Sequence, residues 1–309
     1  MRIVSFLPAA TETLFAVGAG PEVVGVSHEC DWPEAARRLP RVTGTIVDVD
    51  APSRAIDEQV SGALKEGRSI YTVDQALLSK LQPELVVTQQ LCEVCAITPT
   101  GINEALAGVR PAPELLSLHP HSIAEIFDDV RAVGRVTGRT AEAGRYVDGL
   151  QRRLDLVRTA VEELERPRVY CMEWLDPPYN AGHWVPEQVR IAGGEDGLGR
   201  LGTDSVRLLW EAICEYDPEV LVLMPCGLSM ERMEREVREL FDERWAGLAA
   251  VKNNRVWGVN GPAYFNNSGP RVVDGAELLV SIFHPETAPL RKFGPRDVRR
   301  IDLRQLIPA

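Results

Sequence analysis

The sequence predicts an α/β protein in two halves, each a parallel sheet with helices on both faces, joined by one long helix. Three observations carry this. Between Thr140 and Glu165 the apolar residues Val147, Leu150, Leu154, Val157, Val161 and Leu164 recur at spacings of three and four, one face of a helix. On both sides of that stretch, short apolar runs alternate with helix-like segments, as in doubly wound sheets. The run Pro83-Glu84-Leu85-Val86-Val87 is also echoed by Pro218-Glu219-Val220-Leu221-Val222, each ahead of a cysteine-bearing loop.

In order along the chain, residues 2–7 form an apolar strand ending at Pro8, and Thr11-Glu12-Thr13-Leu14 starts a helix that stops at Gly18-Ala19-Gly20-Pro21. Residues 22–27 read as the next strand. Residues 55–80 read as a helix, a turn at Gly67, a brief strand from Ile70 to Val73 and a second helix. The buried strand 85–89 follows, then a helix at 102–107, a strand from Glu114 to Leu118, and a helix from Ser122 to Thr137. The long helix is expected to stop its predecessor at Gly138, to be capped by Thr140 and to run to Glu165, roughly 40 Å at about 1.5 Å per residue. Such a helix is a strut between halves; the alternative is the seam of a coiled-coil dimer. The second half reads as strand 168–174, helix 186–192, helix 205–216, strand 220–224, helix 229–242, strand 255–260 and a helix from Gly269-Pro270 to about Phe283. The expected boundaries are 1–121, 122–166 for the helix pair, 167–283, and a loosely attached tail over 284–309.

With 309 residues, 45% of them apolar, the chain can bury one large or two medium cores. Its net charge of −11 argues against nucleic acid and against a basic membrane-surface patch. No apolar run approaches the ~18 residues of a membrane span, so no membrane insertion is expected. The start, MRIVSFLPAATETLF, does not read as a signal peptide. As given, the chain is expected to be cytoplasmic, and periplasmic or extracytoplasmic if a leader has been removed. Cys171 and Cys214 read as packing residues, whereas Cys30, Cys92, Cys95 and Cys226 fall at strand ends or in loops. No phosphate loop, nucleophile elbow or carboxylate pair with a nearby base is present in the sequence, so no catalytic residues are assigned.

Ligands of such sheets sit beyond the carboxyl ends of the strands, and in this chain the loops there bear aromatic, His and Cys residues. An ordered set of segments there resembles the cobalamin-binding branch of the iron-chelate/cobalamin substrate-binding proteins of ABC importers. In the first half these are Ser5 to Glu12, Gly25-Val26-Ser27 leading to Cys30-Asp31-Trp32-Pro33, and Leu81 to Val86. In the second they are Asp176-Pro177-Pro178, Gly182-His183-Trp184, Ala192-Gly193-Gly194, Asp217-Pro218-Glu219 and Ser268-Gly269-Pro270-Arg271. The resemblance covers most of residues 1–283. It implies two Rossmann-like lobes, a corrinoid such as cobalamin held edge-on between them, and little hinge closure. By position it assigns Pro8, Asp31 and Trp32 of the first lobe to the cleft, with Trp174, Tyr179, Trp184, Tyr264 and Phe265 of the second. Flat aromatic faces suit such a ligand, and the amides of Gln89, Gln90, Asn180, Asn266 and Asn267 suit its propionamide edge. It also implies docking on an ABC permease through a surface glutamate of each lobe. Glu211 matches in the second lobe, and Thr100 stands at the first-lobe position. An insertion at roughly 48–74 departs from the importer pattern.

The pair Cys92-Glu93-Val94-Cys95 has the spacing of a metal hairpin or a redox dithiol, and His28 with Cys30 can complete a metal set. Cys226 and His183 can face that cluster from the other lobe. Small buried residues lining the cleft are the alternative. The sequence therefore predicts a substrate-binding protein that does no chemistry. A bound metal remains open, and the competing reading is a cytosolic metal- or thiol-dependent enzyme using Cys30, Cys92 and Cys95 in the same cleft.

Overall fold

A computed structural model of the chain describes residues 1–89, 99–287 and 291–307. The first lobe carries β1 (Ile3–Ser5), β2 (Val23–Val26), β3 (Thr43–Thr45), β4 (Tyr71–Val73), β5 (Leu85–Gln89) and β6 (Glu114–Leu118). Four of these form a parallel sheet in the order β2-β1-β5-β6, and β3 and β4 pair antiparallel beside it. Its helices are α1 (Pro8–Ala16), α2 (Ser53–Lys65), α3 (Gln75–Leu81), α4 (Pro99–Ala105) and α5 (Ile123–Val136). Alternation decides which core each strand residue enters. Ile3, Leu85 and Val87 join the apolar cluster with α1 and α5, while Val4 and Val86 pack with Leu78, Ile102 and Ala105 of α3 and α4. Helix α1 begins at Pro8, not at Thr11: proline lacks the N–H that a first helical residue leaves unpaired anyway. Strand β3 has no counterpart in the sequence reading.

The lobes are joined by α6 (Thr140–Val161). Gly138 turns the chain out of α5 at φ +68°, and Ser122 caps α5 by accepting from the Glu125 amide at 3.2 Å. Thr140 is the first helical residue and not the cap; that position is Arg139. The helix ends at Val161, short of Glu165, and its 22 residues span roughly 33 Å. Val147, Leu150, Leu154, Val157 and Val161 are all buried, with Ala143 alongside. That face is covered by α5 on one side and by α13 (Val272–Phe283) on the other, so it offers no coiled-coil seam. Charges pin the helix at two heights. Arg139 pairs with Glu22 of the first lobe, and Arg153 binds Glu277 at 2.6 and 2.8 Å and also Asp274, both on α13.

The second lobe holds β7 (Val169–Met172), β8 (Val220–Leu223), β9 (Val256–Val259) and β10 (Val298–Arg300), in the order β10-β9-β8-β7. The first three run parallel and β10 antiparallel, so this sheet is mixed. Its other helices are α7 (Val185–Ile191), α8 (Trp210–Tyr216), α9 (Met230–Glu239), α10 (Glu243–Gly247), α11 (Ala249–Lys252) and α12 (Gly261–Tyr264). Three expectations need correction. The tail is not loose: β10 completes the sheet edge, and Ile301 and Leu303 are buried. Helix α8 starts at Trp210 rather than 205, because 206–208 run extended against Pro178 and Asn180. Cys214 is exposed on α8 instead of packed, although Cys171 is buried as expected.

Candidate functional site

The two sheets turn their carboxyl ends towards one another, and the floor between them is an ion pair from opposite lobes. Pro8 starts α1 directly after β1, which sets Glu12 one turn into the helix, with only 5% of it exposed. After β9, Asn260 caps α12, and the turn Ser268-Gly269-Pro270 delivers Arg271 to the start of α13. That turn packs so closely on α1 that a Cβ on Gly269 would stand 3.4 Å from the Ala9 Cα. Arg271 donates to both carboxylate oxygens of Glu12, through Nε at 2.9 Å and through Nη2. Burial pushes the Glu12 carboxyl up from its ordinary value, and Arg271 pulls against that shift. The guanidinium lies 5.3 Å from the ring centre of Trp32 and 5.8 Å from that of Tyr264. Trp32 is half exposed; the loop that carries it is held by Arg41, which donates to the Ser27 and Cys30 carbonyls at 3.0 and 2.7 Å.

The second-lobe wall is spanned by the insertion. Trp174 Nε1 donates to the Ser53 carbonyl at 3.1 Å, and the Ser53 amide donates to Glu236 at 2.6 Å. Arg54 forms a two-pronged pair with Asp176 at 2.7 and 2.9 Å. The Tyr179 hydroxyl donates to Asp57 at 3.0 Å, and Arg207 donates to Asp57 and Ser61 at 2.6 and 2.9 Å. Arg232 closes the set on the carbonyls of Val49 and Ala51. Trp174 and Tyr179 therefore meet α2 and not an open cleft.

The remaining candidates divide. Pro8 and Gln89 are half-buried at strand ends, and Asp31 is exposed beside Arg37. Trp184 and Phe265 are core residues, 4% and 0% exposed, with Trp184 Nε1 donating to the Phe265 carbonyl at 3.0 Å; their large apolar areas are already used inside the lobe. Tyr264 is buried too, its hydroxyl donating to Asp297 at 2.7 Å, with only its ring turned to Arg271. Asn180 is consumed by Leu198 and Val206, and Asn267 donates to the Pro262 carbonyl. Asn266 donates to the Met224 carbonyl at 3.2 Å, while its buried Oδ1 has no hydrogen-bond partner among the described residues.

Of the thiol and histidine set, the Cys30 Sγ lies 3.1 Å from Thr11 Oγ1, and burial pushes the thiol up to about 12. A thiol that holds its proton so firmly is a poor nucleophile. His28 Nδ1 sits 2.7 Å from Thr43 Oγ1. Gln90, Cys92 and Cys95 lie outside the described residues, and among the described residues no three His, Cys, Asp or Glu gather as a metal set. His183 does not face Cys30: its ring stacks on Trp184 and lies 5.8 Å from His121, which contacts His119. Glu211 is exposed in the first turn of α8, and Thr100 lies on α4 with its side chain outside the described ones.

Sequence reasoning quoted Glu12 and Arg271 inside motifs but gave them no role, and it saw the insertion without its contacts. The one signal was an arginine placed directly before an apolar helix. Two hollows border α7, one of about 600 Å³ against α6 and one of about 510 Å³ against the start of α5; both include Glu187 and Arg190 and neither includes a candidate residue. The strand ends thus present an exposed indole over a fixed cation, an arrangement that can stack a flat ligand. Among the described residues it includes no activated nucleophile. No helix among the described residues is long and apolar enough to cross a membrane.

A family model described as periplasmic binding protein matches residues 3–261. An uncharacterised ABC transporter substrate-binding lipoprotein of Bacillus subtilis is 23% identical over 292 residues, covering 93% of this chain and 81% of that protein. A cobalamin-binding protein of Halobacterium salinarum is 26% identical over 301 residues, covering 93% of this chain and 70% of that one. In structure, a periplasmic heme-binding protein from Pseudomonas aeruginosa superposes with a TM-score of 0.70 at 20% identity, over 94% of this chain and 95% of that one.

Proposed function

The chain belongs to the periplasmic binding protein family, and on that premise we propose that it is the ligand-binding component of an ABC importer. Its ligand is a flat macrocycle of the corrinoid or tetrapyrrole class, seated between the lobes. The observation that carries the reading is the half-exposed Trp32 ring, backed by Arg271, at the junction of the strand ends of both lobes. An aromatic face left open beside a fixed cation gives a macrocycle a large contact at little entropic cost. Glu211, exposed on α8, serves as the second-lobe contact to a permease. Family membership and the lipoprotein relative support work outside the cytoplasmic membrane over the cytoplasmic reading.

The test is an absorption titration of the purified chain with cobinamide, cobalamin and hemin. A saturable change at one equivalent with one of them is expected. Replacing Trp32 with alanine should weaken that binding about ten-fold or more, roughly 1.4 kcal/mol, while urea stability stays within about 0.5 kcal/mol because the ring is half exposed. No spectral change with any of the three overturns the reading.

A further inference from the structure

We infer that residues 47–66 form a releasable latch: α2 opens from the second lobe as a unit while both lobes stay folded, and this opening controls access to the strand-end cleft. The part about access rests on the function proposed above; the latch itself does not.

The insertion is rooted only in the first lobe. It leaves through β3 and returns through β4, which pair with each other across Thr43 and Val73. Between those strands α2 reaches over to the loops after β7, to Arg207 and to α9. What holds it there is polar. Within α2 only Ser53 and Ala63 are buried, so no apolar face of this helix is sealed against the second lobe. The holding groups include ion pairs whose guanidinium is open to solvent while the carboxylate is largely covered: Arg54 is 65% exposed against 18% for Asp176, and Arg207 51% against 10% for Asp57. Pairs with one solvent-open partner contribute modestly each and are partly screened by salt. A segment tied by such contacts and by few apolar ones sits at the low end of local stability. By contrast the lobes meet at the buried Glu12–Arg271 pair and along the apolar face of α6, neither of which α2 touches.

The latch also occupies two aromatic groups at once. Trp174 and Tyr179 spend their polar atoms on Ser53 and Asp57. When α2 lifts, both are released together beside the strand ends. The same wall can then hold either the latch or an incoming ligand, so admission is tied to opening.

Hydrogen exchange on the ligand-free chain tests this first. Amides of residues 53–65 should exchange at least about ten-fold faster than those of β8, and faster again when salt is raised from about 0.05 to about 0.5 M. The Arg54→Ala/Asp57→Ala variant should speed exchange in α2 alone, and the charge swap Arg54→Asp/Asp176→Arg should slow it back towards wild type. Exchange in α2 as slow as in β8, and indifferent to salt and to the variant, overturns the latch. Stopped-flow mixing with cobinamide and with hemin tests access. Association should quicken in the double-alanine variant while dissociation stays nearly constant, so that Kd falls by the same factor. Unchanged rates alongside faster exchange overturn the gating role. Absence of binding by wild type sinks the proposed function instead, and exchange alone then decides the latch.

Discussion

Arg271 is where the two lobes are tied by charge, and its worth lies in what its loss would leave behind. Glu12 is buried, so truncating the arginine that pairs with it strands a carboxylate in an apolar setting. Arg271→Ala should therefore cost about 3–5 kcal/mol in urea unfolding, whereas Glu12→Leu/Arg271→Met should recover most of that loss. Equal losses in both variants would show that the pair is not the source. A second residue-scale prediction concerns Glu173 and Asp196. Both carboxyls are enclosed, Glu173 by Ser205 and the Gly182 amide, Asp196 by the Leu198 and Gly199 amides, and burial raises each to about 7. A raised folded pKa means that the folded chain keeps its proton where the unfolded chain has lost it. The stability from these groups is thus full below about pH 4 and lost as pH rises through about 7, at about 1.4 kcal/mol per unit and group. Glu173→Gln/Asp196→Asn should flatten the fall between pH 5 and 8 relative to wild type; parallel curves would rule the assignment out.

Among the elements, α6 shows how one helix serves both lobes. Its apolar stripe is narrow, and neighbouring residues on it differ sharply in burial. Leu154 is 1% exposed and Leu156 is 60% exposed. Leu154→Ala should cost about 2–5 kcal/mol through the cavity it leaves, while Leu156→Ala should stay within about 0.5 kcal/mol. Comparable costs at the two positions would mean that the stripe is placed on the wrong face. The C-terminal end of the stripe is fitted as tightly: Gly193 ends α7 at φ +79°, and a Cβ there would stand 2.9 Å from the Val161 Cβ.

For the whole molecule, α6 pinned to Glu22 at one end and to α13 along its length argues against large lobe rotation. Small-angle scattering should accordingly show no contraction when the chain is saturated with the macrocycle it binds, and a clear drop in radius would overturn this rigidity. The sequence by itself determined the alternation of strands and helices, the burial of the α6 stripe and the end of α5 at Gly138, because periodicity and turn chemistry are local. It placed Trp32 in a loop at a strand end and Arg271 at the start of the last long helix. It could not decide that Trp184 and Phe265 are core while Trp32 is open, since an aromatic in a loop reads the same whether its neighbours cover it or not. Nor could it foresee that β10 closes the second sheet, that Cys30 turns to Thr11, or that α2 crosses to Asp176 and Arg207. Those contacts join residues between 19 and 150 positions apart, and only the folded chain brings such partners within hydrogen-bond reach.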